Sequence, residues 1–200
     1  NESDSNLAHF EVLGHIYTAE ESQHSIKIKM RDITYVPHKK EIDVEKYILP
    51  IHFIELGNSP HTGIFFEELL SQFSAMTDVA QLHVRAIGQS IRFHTEFIPH
   101  GTNVDFIQKK DDATILLRTY ERGVEDETLA CGTGCVASAI LSAEKYTMRS
   151  PVHIIPTGKK PLTVFFKKEG NTYSEIWLEG ETQLLFQSTV TIDNDSYAII

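Results

Sequence analysis

Cysteine is scarce in this sequence, and its scarcity limits the class of protein. Only two of the 200 residues are cysteines, Cys131 and Cys135. Two thiols this close together do not form the disulfide framework of a small secreted domain. The sequence therefore predicts a protein of a reducing, cytoplasmic compartment.

Positive charge and long apolar runs are also lacking. The formal net charge is -10 at pH 7, which argues against nucleic acid or an anionic membrane surface as a partner. No apolar run approaches the roughly 20 residues of a membrane-spanning helix, and the polar first residues show no signal peptide. The ten histidines form no HxxxH spacing and the cysteines no CxxC spacing, so we expect no metal site.

Short strand-like runs dominate what is present. Residues 25–30 alternate apolar and polar side chains, as a half-buried strand does. Three further pairs of runs are each separated by turn residues: 51–56 with 63–66, 103–108 with 114–120, and 162–167 with 174–179. The last two pairs predict hairpins. Many antiparallel strands with few helices predict an α+β fold.

Apolar residues recur at helical spacing in two segments. In residues 79–93 the repeat runs through Leu82, Ile87 and Ile91, which predicts one helix. In residues 134–146 the apolar residues are accompanied by small ones, which predicts a helix buried on most sides.

The segment around Cys131 carries the strongest chemical signal. It runs Tyr120-Glu-Arg-Gly-Val-Glu-Asp-Glu-Thr-Leu-Ala-Cys-Gly-Thr-Gly-Cys135, between a predicted strand and a predicted helix. The first N–H groups of a helix have no partner within it, so Gly132, Thr133 and Gly134 predict a site for a carboxylate or phosphate. The same helix end is expected to lower the pKa of the Cys131 thiol and to favour the thiolate.

The alternative for Cys131 is a small buried apolar residue before a glycine-rich turn. Against this, Tyr-Glu-Arg-Gly followed by Glu-Thr-Leu-Ala-Cys-Gly-Thr-Gly closely resembles the signature of the diaminopimelate epimerase family. Ser59-Pro-His61 and the stretch from Gly88-Gln-Ser-Ile-Arg92 to Gly101-Thr-Asn-Val104 resemble two further family motifs. The order and spacing are similar from about residue 50 to the end, and more loosely over 10–48.

The resemblance implies a diaminopimelate epimerase-like fold of two similar halves, each a barrel-like antiparallel sheet around a central helix. Residues 1–48 would be the closing strands of the N-terminal half, 49–187 the C-terminal epimerase domain and 188–200 a C-terminal tail. The helix from Gly134 would be the second central helix. The family's first half has its own Cys-Gly-Asn-Gly turn, which is absent here. The chain is therefore expected to be an epimerase without its front half, and inactive alone.

The resemblance also implies the reaction. A cofactor-independent epimerase of this family interconverts LL- and meso-diaminopimelate, in lysine and peptidoglycan precursor synthesis, with one thiol on each face of the α-carbon. The implied catalytic residues are Cys131, Glu121 and His61, without pyridoxal phosphate or any other cofactor. Without the resemblance, Glu121 would be a solvated charge at a strand end and His61 an ordinary turn histidine.

The residues implied to bind this small-molecule substrate lie in the same motifs: Arg122, Asn103, Gly132, Thr133, Glu121, Ser59 and Asn58. Arg122 suits bidentate capture of the distal carboxylate, and Glu121 suits the amino group or the positioning of a thiol. Ser59 stands where many relatives carry Asn, so Asn58 is an alternative contact.

Three nearby residues are assigned to structure instead. Cys135 follows Cys131 by about one helical turn, so it would lie on the same side but deeper, in the core. Arg92 and His94 would close a helix C-terminus, where cations are favourable.

Two other functions stay open. One is a racemase or dehydratase of the same fold, such as a proline racemase-like enzyme, although Arg122 and Asn103 favour a substrate with a second polar end. The other is a non-catalytic binding module, against which the intact Cys-Gly-Thr-Gly argues. A half-barrel would expose surface that its partner half covers, so pairing into a homodimer is a further expectation.

Overall fold

A single mixed sheet with few helices forms the part of the chain that the computed structural model describes, residues 7–189 without 13, 23, 37, 71 and 74. Its strands are β1 (Leu7–Val12), β2 (His15–Glu21), β3 (Ser25–Lys29), β4 (Ile33–Thr34), β5 (Lys39–Val44), β6 (Tyr47–Leu56), β7 (Ser59–Phe65), β8 (Asn103–Lys109), β9 (Thr114–Glu121), β10 (Asp126–Thr128), β11 (Val152–Pro156), β12 (Leu162–Glu169) and β13 (Thr172–Glu181). The helices are α1 (Phe66–Leu69), α2 (Val84–Arg92) and α3 (Gly132–Tyr146), with 3-10 turns at Val79–Gln81 and Thr95–Phe97. This architecture confirms the predicted α+β class.

The order of the strands places α3 at the centre of the fold. That order is β1-β2-β3-β13-β12-β11-β9-β8-β7-β6-β5, with β10 beside β9 and β4 beside β13. Neighbouring strands are antiparallel except β7 with β8 and β9 with β11, which are parallel. Because α3 packs against β6 to β9 and β11 to β13, it is the central helix around which the sheet is arranged.

The composition of α3 explains how the helix fits inside the sheet. Every residue from 134 to 143 is buried, and several of them are small. Close packing also requires Gly63 on β7, because a Cβ there would clash with Leu141. The predicted buried helix is confirmed, although it begins at Gly132 rather than at 134. Within the described residues, no helix is both long and apolar enough to cross a membrane.

The strands predicted from alternation are present. Strand β3 corresponds to the predicted strand at 25–30, and β6 pairs antiparallel with β7 across the turn at 57 and 58. The two predicted hairpins are confirmed, since β8 pairs antiparallel with β9 and β12 with β13.

The single helix predicted at 79–93 is wrong. A 3-10 turn at Val79–Gln81 is followed by Leu82 in an extended conformation (φ -68°, ψ 139°), and α2 begins after it. Arg118 on β9 explains the break, because its Nη1 donates to three carbonyl oxygens of this segment at 3.0, 3.1 and 2.8 Å. These bonds stabilise the break, and Val79 O also accepts the 3-10 bond from the backbone N–H of Leu82 at 3.1 Å.

The strands that precede residue 48 divide between the two edges of the sheet. Strands β1 to β4 continue it beyond β13, whereas β5 pairs with β6 at the opposite edge. Ile42 and Val44 of β5 share a core cluster with Leu49. The predicted boundary at 48 stays a prediction. So does the tail from 188, most of which lies outside the described residues.

Candidate active site

The ends of three neighbouring strands and the start of α3 meet at Cys131. The parallel pairing of β7 with β8 sets His61 beside Asn103, and the antiparallel pairing of β8 with β9 brings the end of β9 to the same edge. Cys131 is the N-cap of α3, with extended backbone (φ -120°, ψ 114°). Its carbonyl oxygen accepts the first helical hydrogen bond, from the backbone N–H of Cys135 at 2.9 Å. The sheet register therefore gathers residues that are more than 70 positions apart, as in the pair of His61 with Thr133.

His61 lies at the centre of a buried hydrogen-bond network. The residue is fully buried, and its Nδ1 lies 2.7 Å from Asp105 Oδ2. On the other side of the ring, Nε2 lies 3.0 Å from Thr133 Oγ1 and 3.1 Å from Ser59 Oγ. Thr133 Oγ1 in turn lies 3.5 Å from Cys131 Sγ. A single hydroxyl group therefore separates the imidazole from the thiol.

Asp105 belongs to this site, and reasoning from the sequence missed it. The residue is fully buried, and its second oxygen, Oδ1, accepts a hydrogen bond from Thr119 Oγ1 at 2.7 Å. Gly134 leaves room for it, because a Cβ at 134 would lie 2.7 Å from Asp105 Oδ1. The available signal was one acidic residue inside an apolar strand, since a buried carboxylate needs hydrogen-bonding partners.

Asn103 is buried, and its amide group is fully engaged with the protein. Its Nδ2 donates to Ser59 Oγ at 3.2 Å and to the backbone oxygen of Pro60 at 3.0 Å. Its Oδ1 accepts from the backbone N–H of Arg122 at 2.8 Å, and the Arg122 guanidinium donates to the backbone oxygen of Asn58 at 3.0 Å. Asn103 therefore ties the start of the loop after β9 to the start of β7. Substrate contacts of Asn103 and Arg122 stay predictions.

The remaining predicted residues lie at the end of β9, at the start of α3 and at the start of β7. Glu121 is partly buried at the end of β9, close enough for its charge to act on the Cys131 thiol. Gly132 is the first residue of α3 and is partly exposed. The Ser59 hydroxyl points into the network, whereas Asn58 is exposed. Ser59 therefore belongs to the His61 network, and whether Ser59 or Asn58 contacts the substrate stays a prediction.

A cavity of about 370 Å³ opens beside the start of α3. Thr133 and Val136 of α3 form one wall, and Tyr17 of β2 and Met30 lie on the other side. Its volume falls at the lower end of the range typical of small-molecule sites. Of the predicted site residues, Thr133 and Asn58 line this cavity, which is large enough for a small molecule.

The expected lowering of the Cys131 pKa is wrong. Burial raises the pKa of this thiol to about 11, and the negative charge of Asp105 acts in the same direction. Hydrogen bonds with Thr133 and with the backbone N–H of Gly134 lower the pKa, but by less. The Cys131 residue is 5% exposed, so desolvation of the thiolate outweighs the favourable helix end.

The residues assigned to structure occupy structural positions. Cys135 is fully buried in the core cluster around α3, which confirms its interpretation as a core residue. Arg92 Nη2 lies 3.0 Å from Glu125 Oε1, in the loop that follows Arg122. His94 Nε2 donates to a backbone oxygen on β5 at 3.1 Å.

Comparison with known proteins identifies the family. The sequence model described as diaminopimelate epimerase matches residues 71–184, which is more than half of the chain. This chain belongs to the diaminopimelate epimerase family. The matched region contains Asn103, Asp105, the Glu121-Arg122 pair and the whole Cys131 turn.

Individual members of this family are similar over most of the chain. A diaminopimelate epimerase from Aquifex aeolicus is 35% identical over 188 residues, which cover 93% of this chain and 62% of that protein. A diaminopimelate epimerase from Chlamydia trachomatis serovar L2 is 34% identical over 163 residues, covering 78% of this chain and 54% of that protein. The chain thus spans somewhat more than half the length of these curated relatives.

A solved structure shows a similar fold. A hydroxyproline epimerase from Agrobacterium vitis, with bound trans-4-hydroxy-L-proline, superposes with a TM-score of 0.58 at 14% identity. The similarity covers 90% of this epimerase-family chain and 58% of the other. At this identity, the likeness supports the fold and does not bear on the substrate.

Proposed function

We propose that this chain supplies the second half of a diaminopimelate epimerase, which interconverts LL- and meso-diaminopimelate in lysine and peptidoglycan precursor synthesis. The observation that carries the proposal is the placement of Cys131 at the start of α3, one hydroxyl away from the buried His61–Asp105 pair. The family of the chain and its two named relatives favour this substrate over proline-like ones.

The α-proton of an amino acid is a weak acid, so its removal needs a strong base at the right position. A thiol whose pKa is raised to about 11 gives a more basic thiolate than an ordinary cysteine. In its protonated form, the same group is the donor that returns a proton to the carbanion. We therefore assign proton transfer on one face of the α-carbon to Cys131, with His61 and Glu121 acting on the charge of that thiol.

The start of α3 and the loop after β9 supply the binding groups. The N–H groups of Gly132 and Thr133, at the start of α3, have no partner within the helix and suit the α-carboxylate, whose charge grows as the proton leaves. Arg122 suits the distal carboxylate because its guanidinium can bind both oxygens at once. Ser59 and Asn103 complete the polar lining, and Asn58 is the alternative to Ser59.

The second thiol must come from outside the 200 residues, because Cys135 is fully buried behind Cys131. The chain alone is therefore expected to be inactive. No group of the proposed mechanism needs pyridoxal phosphate. Because the cytosol keeps thiols reduced, we propose a cytoplasmic enzyme, and a homodimer is the assembly we expect.

The test is epimerisation by the full-length protein and by two cysteine variants. Cys131→Ala should abolish conversion of LL- to meso-diaminopimelate, because the base on one face is lost. Cys135→Ala is the matched control, since it removes the same atoms from the core, and it should retain turnover. Equal activity of the two variants would contradict the proposal, and faster turnover of proline than of diaminopimelate would overturn the substrate.

A further inference from the structure

We propose that Asp105 is a positioning residue that fixes the direction of the hydrogen-bond chain through His61, so that Nε2 accepts the proton of Cys131 by way of Thr133. This inference rests on the proposed function for its catalytic consequence. Its structural part follows from the polarity of each hydrogen bond in the network.

The direction of the hydrogen bonds is fixed first at Asn103. Its Oδ1 accepts from the backbone N–H of Arg122 at 2.8 Å, and a backbone N–H can only donate. The amide nitrogen of Asn103 must therefore point the other way, where Nδ2 donates to Ser59 Oγ at 3.2 Å. Because Ser59 Oγ accepts this bond, its own proton can be donated to Thr133 Oγ1 at 3.4 Å, which leaves the single lone pair of His61 Nε2 for the Thr133 hydroxyl.

Asp105 decides which nitrogen of His61 carries the proton. Its Oδ2 lies 2.7 Å from Nδ1, and an ionised carboxylate accepts hydrogen bonds and does not donate them. In the neutral imidazole the proton therefore lies on Nδ1, and Nε2 is an acceptor. Both N–H groups of Asn103 Nδ2 are directed at Ser59 and Pro60, so they do not compete for Nε2.

A second hydrogen bond and close packing hold the Asp105 carboxylate in place. Its other oxygen is held by Thr119 Oγ1 at 2.7 Å, and Gly134 of α3 packs directly against that oxygen. Both Asp105 and His61 are fully buried, so water does not compete for the bond. The carboxylate therefore holds the imidazole in one tautomer and one orientation.

The hydrogen-bond chain continues from His61 Nε2 to the Cys131 thiol. Thr133 Oγ1 can donate to Nε2 at 3.0 Å and accept from Cys131 Sγ at 3.5 Å. When the thiol proton passes to the Thr133 oxygen and the Thr133 proton passes to Nε2, Cys131 becomes a thiolate and His61 an imidazolium. The negative charge of Asp105 balances that imidazolium, and no oxidant or further reactant is needed.

The first test observes the tautomer directly in the full-length protein labelled with 15N-histidine. Long-range 1H–15N correlation spectra distinguish a protonated Nδ1 from a protonated Nε2, and His61→Gln identifies the signals by their loss. We expect the Nδ1–H tautomer in the wild-type protein without ligand. An Nε2–H tautomer would overturn the inference whatever the activity of the enzyme.

The second test uses Asp105→Asn, which keeps the size of the side chain but can donate as well as accept. We expect kcat to fall about 100-fold or more, with KM unchanged because Asp105 lies behind His61 and does not reach the opening. Thr62→Val is the control, since it removes another fully buried hydrogen bond on β7, from Thr62 to Thr102, and should retain kcat. An unchanged kcat in a folded Asp105→Asn enzyme would contradict the positioning role. If the wild-type protein did not epimerise diaminopimelate, the proposed function would fail. The spectrum of His61 would still show whether Asp105 fixes the Nδ1–H tautomer.

Discussion

Replacement of Gly134 by alanine tests how closely α3 approaches the buried carboxylate. An added Cβ would lie 2.7 Å from Asp105 Oδ1, 3.2 Å from Thr119 Oγ1 and 3.2 Å from the Cβ of Cys131. The first two atoms belong to groups fixed by a hydrogen bond to each other, so they cannot move aside at low cost. Overpacking of this kind in a core destabilises by about 1–3 kcal/mol.

A matched variant separates this clash from the general effect of adding alanine to a helix, which stabilises by up to about 1 kcal/mol. At Gly132, an added Cβ would meet only Leu178 Cδ2, at 3.1 Å, which is the end of a flexible side chain. We therefore expect Gly134→Ala to be less stable than Gly132→Ala by about 1–3 kcal/mol in urea unfolding. Each kcal/mol corresponds to a melting temperature lower by about 2–4 °C in a domain of this size. Equal stability of the two variants would refute the close approach of α3 to Asp105.

Two further predictions concern the stability of the fold. Burial alone would raise the pKa of Glu68, but hydrogen bonds from Lys145 and two further basic side chains lower it from 4.5 to about 2. This depressed pKa stabilises the fold fully above pH 4.5 and loses its effect as the pH falls towards 2. In urea unfolding, Glu68→Gln should therefore cost about 1–2 kcal/mol at pH 7 and almost nothing near pH 2, and an equal cost at both values would contradict the assignment. Arg118→Ala should cost about 2–4 kcal/mol because it removes the ion pair of Glu127, which keeps only its bond from Thr157, and the hydrogen bonds to the carbonyl oxygens before α2. Arg85→Ala, at a side chain that is 75% exposed, should stay within about 0.5 kcal/mol.

The strands and the central helix could be predicted because their patterns are local. Alternation along 103–108 and 114–120 follows from one face of each strand packing on the core. The small apolar residues of α3 likewise indicate a helix surrounded by other elements. In both cases the side chains that carry the signal are those that make the packing contacts.

The break at Leu82 could not be predicted from its own segment. The residues from 79 to 93 keep a helical period, and the group that interrupts it, Arg118, comes from a strand later in the chain. The side-chain pattern does not show which distant side chain will donate hydrogen bonds to a backbone oxygen. Tertiary contact overrides local propensity here.

In the candidate site, too, the local motif could be predicted from the sequence, whereas the contacts between distant residues could not. The turn at Cys131 is a contiguous motif, so its chemistry could be anticipated from the sequence. The partnership of His61 with Asp105 depends on the register of β7 and β8, which brings together residues 44 positions apart. The raised pKa of the Cys131 thiol depends on burial and on that carboxylate, and neither is visible in the motif itself.

The central claim is that Cys131 transfers the α-proton of diaminopimelate. The most direct measurement is incorporation of deuterium at the α-carbon when the full-length protein turns over LL-diaminopimelate in D2O. We expect the inverted centre of the meso product to carry solvent deuterium, and Cys131→Ala to form no meso product. Inversion without deuterium in the product, or undiminished formation of the meso product by Cys131→Ala, would contradict this assignment.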